Sequence, residues 1–190
     1  MKTGRLEAFS DGVLAIVITI MVLELKAPEE VSLQALSHEW PIFASYLFSF
    51  IYIGIYWNNH HHLFQITEKV NGKILWANLH LLFWLSLIPF TTSWLGKNYT
   101  SSIVVALYGF NLLMSAIAYF TLQGSILRLH GADFILRKQI GKDWKGKSSV
   151  IFYIIGLLLS FVNTWIALGF YILVAVMWIV PDKRIERHIS

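Results

Sequence analysis

Residues 4–25 read GRLEAFSDGVLAIVITIMVLEL, and this stretch decides the fold class. Arg5, Phe9, Ser10 and Asp11 run straight into an apolar segment. After Gly12 its one hydroxyl before Glu24 is Thr19. An ionisable group at the centre of a lipid-embedded helix costs about 2.5–3.5 kcal/mol on insertion scales. An aspartate at the mouth of such a helix is therefore expected to face protein or water. No small-x-small cleavage site is present, and Glu24 and Lys26 follow the run directly. The segment reads as a retained first helix, not a cleaved signal peptide.

The rest of the chain agrees with a membrane setting. Of 190 residues, 56% are hydrophobic and 14% charged, against about 25% charged in an average soluble domain. Mean hydropathy is +0.60. The absence of cysteine excludes disulfides, thiolate metal sites and cysteine nucleophiles. Residues 1–190 leave no room for a separate soluble domain, so one transmembrane domain is expected.

A spanning helix needs about 20 mostly apolar residues. Candidate spans fall at residues 9–25, 41–57, 74–95 and 102–127, with a kink expected at Pro89. The block 150–180 is too long for one span and is split near Val162, Asn163 and Thr164. This gives six transmembrane helices. Thirteen of the 15 Lys and Arg then fall on the termini and even-numbered links, and Lys26 and Lys97 fall on the odd-numbered ones. By the positive-inside rule both termini are cytoplasmic. The basic pI near 9.3 is thus a topology signal. Nucleic-acid binding is not expected, because no soluble basic face with base-reading elements is visible. The basic loop at 137–147 reads as a solvated face against anionic headgroups.

Within helix 1, Gly12, Ile16, Thr19 and Leu23 recur at intervals of four, three and four, which is one helical stripe. Such a stripe can pack against protein or lipid. It can also line a pore, where apolar rings gate by dewetting and hydroxyls replace part of an ion's hydration shell. At the cytoplasmic end, Ser10 and Asp11 lie at the depth of Asn78 and His80 in the third span, with Trp76 and Trp84 flanking His80 at i±4. Asp11–His80 and Asp11–Asn contacts are expected there. They serve either as a polar latch on helix 1 or as a proton relay. The run His60-His61-His62 invites a metal reading, yet consecutive helical residues point about 100° apart. An interfacial collar is the simpler role, and no metal or other cofactor is expected. No GxSxG, Walker A or paired-carboxylate pattern suggests an enzyme, and the TVGYG potassium filter is absent.

On these residues the chain resembles the transmembrane protein 175 family of potassium channels. Arg5-x-x-x-Phe9-Ser10-Asp11 at the opening of the first span is the specific element. WNNHHH at 57–62, NLHLL at 78–82, Pro89-Phe90 and LYGFNLL at 107–113 support it. The resemblance implies an all-α integral membrane protein with its pore lined by the first helix. For a single six-helix repeat it implies a homotetramer in the cell membrane. It places Ile16 at the central constriction, Thr19 at a polar layer linked to selectivity and Leu23 at a second apolar layer, with Gly12 on the same face. Arg5, Phe9, Ser10 and Asp11 would brace helix 1, with His80, Trp76 and Asn78 as brace partners. The expected function is passive potassium conduction, modestly selective over sodium. The alternatives are a proton-coupled or proton-conducting transporter using Asp11 and His80, and a metal transporter using the histidine run.

Overall fold

A computed structural model describes residues 3–131 and 143–179. Most of the basic loop and the basic C-terminal tail fall outside the described residues. So does Pro181, expected to end the last span.

The described residues form eight α-helices. Helix α1 runs Gly4–Leu23. At 1.5 Å per residue it is about 30 Å long, matching a bilayer core. It starts earlier than the apolar run suggests, so the whole Arg5–Asp11 motif is helical. After a loop, the short α2 (Leu33–His38) is capped by Ser32, whose hydroxyl accepts the Ala35 N–H at 3.0 Å. Helix α3 (Trp40–Gln65) opens with Pro41 in its first turn, where the missing N–H costs nothing. It extends beyond the expected end at Trp57, and the three histidines are therefore helical.

The third apolar segment is interrupted. Helix α4 (Gly72–Ser86) is capped by Asn71, and α5 (Ile88–Asn98) carries Pro89 in its first turn. The physical reason is local. Pro89 has no N–H for the Leu85 carbonyl, and its ring crowds that carbonyl. Across the break lies Asn111, from α6 (Ser102–His130). Oriented to satisfy its neighbours, its amide donates to the Trp84 carbonyl at 3.0 Å. It accepts from the Ile88 N–H at 3.3 Å and the Thr91 hydroxyl at 3.2 Å. One side chain thus replaces the backbone bond that the break removes.

Helices α7 (Trp144–Leu159) and α8 (Thr164–Ile179) form a tight hairpin at the expected split. Asn163 makes the turn, its side-chain oxygen accepting the N–H groups of Trp165 at 2.9 Å and Ile166 at 3.2 Å. Helix α7 begins earlier than the apolar block because Asp143 caps it, accepting the Gly146 N–H at 3.2 Å.

Four segments are long and apolar enough to cross a membrane: α1, α3, α4 with α5, and α6. At 16 residues each, α7 and α8 are about 24 Å long. The core lies around α6, which packs on α4, α5, α7 and α8, while α1 lies against α3, α4 and α5. Close approach of α6 and α8 depends on Gly109, where an added Cβ would run into the Tyr171 ring and hydroxyl. Tyr171 is fully buried and its hydroxyl reaches the Val105 carbonyl at 3.4 Å, so it has little room to yield. Gly109→Ala is expected to destabilise the fold by about 1–3 kcal/mol through overpacking. Thermal unfolding of the detergent-solubilised variant measures it.

Candidate pore face and helix latch

Helix α1 has two faces of opposite fate. Ser10, Leu14, Val17 and Met21 are buried against the rest of the chain. Gly12, Ile16, Thr19 and Leu23 are exposed, Ile16 by 58% and Leu23 by 76%. At about 100° per residue the mean directions of these stripes differ by about 160°. The buried stripe packs within the chain, and the other is left for whatever lies outside it. The Thr19 hydroxyl donates to the Ile16 carbonyl at 2.9 Å, so its oxygen keeps only acceptor capacity. A cation can use an acceptor of that kind.

The N-terminal end of α1 is fastened by three polar contacts. The first is a buried chain through three helices. Ser10 donates to the Leu6 carbonyl at 2.8 Å, so its oxygen accepts the Asn78 amide N–H at 2.9 Å. The Asn78 oxygen then faces His60 Nε2 at 2.8 Å. An amide oxygen only accepts, so His60 carries its proton on Nε2. Every donor in the chain has a direction, and Ser10 and Asn78 are 0% exposed. His60 Nδ1 is buried and has no partner among the described residues.

The second contact joins Asp11 to α3: Trp57 Nε1 donates to Asp11 Oδ1 at 3.1 Å. The third joins Glu7 to His61 Nδ1 at 3.3 Å. His61 Nε2 accepts from Gln65 at 2.8 Å, which leaves the proton on the nitrogen facing Glu7. The Trp57 and His61 rings stack at 5.9 Å with 16° between planes, so these two contacts support each other. Glu7–His61 and the buried place of His60 were missed from the sequence. A signal existed: Ser45, Ser49, Tyr52, Tyr56, His60 and Leu63 are buried at three- and four-residue spacing along α3.

The opposite end of α1 is held by α5. Ser93 donates to Glu24 at 2.7 Å, and Lys97 lies 3.8 Å from the same oxygen. Glu24 therefore points to α5, whereas Glu29 and Glu30 are exposed.

Other expected partners lie apart. Asp11 bonds Trp57, and neither His80 nor Asn78 is its hydrogen-bond partner. His80 Nε2 accepts from Trp84 on its own helix at 2.9 Å, one turn along. Trp76 is exposed beside it, and both line a surface groove with Thr121 and Ser125 of α6. Arg5 and Phe9 are also exposed. The histidines diverge as helix geometry requires, His60 to Asn78 and His61 to Glu7. Among the described residues no group of three or more His, Cys, Asp or Glu is placed to hold a metal ion.

These features define a polytopic helical membrane protein whose first helix is anchored along one side and presents a mostly apolar stripe along the other. The chain belongs to the TMEM175 family. Residues 5–89 match the model of that family, described as endosomal/lysosomal potassium channel TMEM175. A potassium channel of Chryseobacterium sp. (strain P1-3) is 58% identical over 190 residues, covering 100% of this chain and 99% of that one. The endosomal/lysosomal proton channel TMEM175 of Gallus gallus is 36% identical over 101 residues, 47% of this chain and 20% of that protein. The fold is similar to the crystal structure of a lysosomal potassium-selective channel TMEM175 homologue from Chamaesiphon minutus. That match has a TM-score of 0.82 at 28% identity, covering 95% of this chain and 97% of that one.

Proposed function

We propose that this chain is a potassium channel that conducts passively through a pore lined by α1. The observation that carries this reading is the exposed Gly12–Ile16–Thr19–Leu23 stripe on a helix whose other face is fully engaged. Four copies around one axis would bring four Ile16 side chains together as an apolar constriction, with Thr19 acceptors beyond it and Leu23 beyond those. In this arrangement α7 and α8 are the fifth and sixth spans, both termini are cytoplasmic, and the assembly sits in the cell membrane. The potassium-channel relative that covers the whole chain supports the choice of ion.

Selectivity in such a pore comes from Thr19 oxygens and helix-end carbonyls, without a cage of rigid carbonyls or a ring of charge. Potassium over sodium is therefore expected to be modest. Reversal potentials of the purified protein in planar bilayers, under opposed potassium and sodium gradients, measure it. The expected reversal lies on the potassium side of zero. Equal sodium permeation, or current carried by anions, would sink the proposal.

The proton reading built on Asp11 and His80 gains no support from their placement, since each is bonded to a different tryptophan. The buried chain of Ser10, Asn78 and His60 has the form of a latch: every link is a directed bond between helices, and it lies on the side of α1 away from the stripe.

A further inference from the structure

Tyrosine hydroxyls fill the space between α3, α6, α7 and α8. Tyr52 donates to the Tyr171 carbonyl, and Tyr153 donates to Tyr52 at 3.1 Å. Tyr108 pairs with Ser49 at 2.8 Å, and Tyr119 donates to the Asn59 carbonyl at 3.2 Å. Tyr56 differs. It is only 9% exposed, yet its hydroxyl makes no hydrogen bond among the described residues. Tyr56 lines a cavity of about 40 Å³ together with Asn59, Tyr119, Ser149, Tyr153 and Trp178.

Asn59 brings a second unspent group to the same cavity. Its amide nitrogen donates to the Ile55 carbonyl at 2.8 Å, which leaves the side-chain oxygen without a partner among the described residues. A third group is close to spent: Ser149 accepts from Trp178 Nε1 at 2.8 Å and donates to the Lys145 carbonyl at 2.7 Å. A polar group that faces a cavity and has no protein partner is, in nearly all folded proteins, paired with ordered water. A water needs about 10–15 Å³ of such volume and two to four polar partners. The cavity, at about 40 Å³, has room for about three waters on that measure. It also offers a free donor and a free acceptor one helical turn apart on α3.

We propose that this cavity is a built hydration site, holding ordered water between the Tyr56 hydroxyl and the Asn59 side-chain oxygen. The water would bridge two side chains of α3 in a cavity that Ser149 and Tyr153 of α7 and Trp178 of α8 also line. The lining is otherwise aromatic and aliphatic, so an apolar occupant, detergent or acyl chain, is the competing outcome.

Two measurements on the full-length wild-type protein decide it. A structure resolved well enough to show solvent should contain a discrete peak within hydrogen-bonding reach of the Tyr56 hydroxyl and the Asn59 oxygen. Crystals pressurised with xenon should show none there, because a wet cavity excludes it. Xenon in the cavity, elongated density of a lipid or detergent tail, or a Tyr56 hydroxyl bonded directly to protein would each overturn the proposal. Tyr56→Phe keeps the ring and removes the donor; the solvent peak should vanish or move. A peak unchanged in that variant would also overturn it. If the variant fails to fold, the two wild-type measurements still decide.

Discussion

Ile16→Asn is expected to raise potassium flux at least about tenfold in reconstituted liposomes at matched protein content. Transferring an isoleucine-sized apolar surface out of water is worth about 1.5–3 kcal/mol per side chain. A ring of several therefore opposes hydration of the pore by several times that amount. Lowering the barrier by only 1.4 kcal/mol already gives a tenfold rate. Asparagine is close in length and offers both a donor and an acceptor to water. Ile16 is 58% exposed, so the substitution disturbs little of the protomer's own packing. The control is Leu14→Asn, two residues away on the buried face. It should damage folding and should not produce a leak. Flux through Ile16→Asn equal to wild type would remove Ile16 from the constriction.

Asn78→Leu is expected to lower stability by about 2–4 kcal/mol, read as a fall in unfolding temperature in detergent. Asn78 is the middle of the buried chain, and its loss strips partners from two other helices at once. The His60 Nε2–H becomes a buried donor without an acceptor, at about 1–3 kcal/mol. Ser10 loses an incoming donor but keeps its bond to Leu6, a smaller effect. His60→Leu should cost a similar amount for the converse reason, leaving the Asn78 oxygen unpaired. The double variant should then be more stable than the sum of the two losses predicts, by about 1 kcal/mol or more, because residues in one network couple. His60→Gln supplies a terminal amide donor and should recover part of the loss. Strict additivity would mean that the two side chains do not act as one latch.

The helical class and most segment positions were legible from apolar runs and breakers. Residues 150–180 could be divided because Asn163 caps one helix just where the other has turned back. Pro89 marked the interruption of the third segment, but the staple across it was not legible. Asn111 lies 22 positions from Pro89 in sequence, and nothing local says which carbonyl its amide meets. For α1 the wheel picked out the Gly12–Ile16–Thr19–Leu23 stripe, which is exposed, but not the face of Ser10, Leu14, Val17 and Met21 that is buried. The partners of its polar end were harder. Depth matching set Asp11 beside the third span, whereas the aspartate turns to Trp57 on α3. Helical phase on one helix does not fix the rotation of its neighbours. His60 was readable in principle, since it continues the buried face of Tyr52 and Tyr56. The adjacent histidines drew the reading toward a collar instead. Helix α2 rests on one serine cap and six residues, too short for periodicity to detect.

The break before Pro89 has a mechanical consequence for α1. Its two ends are tied to the two halves of the same interrupted segment: Ser10 to Asn78 on α4, and Glu24 to Ser93 and Lys97 on α5. The segment is a bow, α1 its string, and the Asn111 amide the rivet at the bend. Any flexing at Leu87 must be taken up along the string as tension or slack.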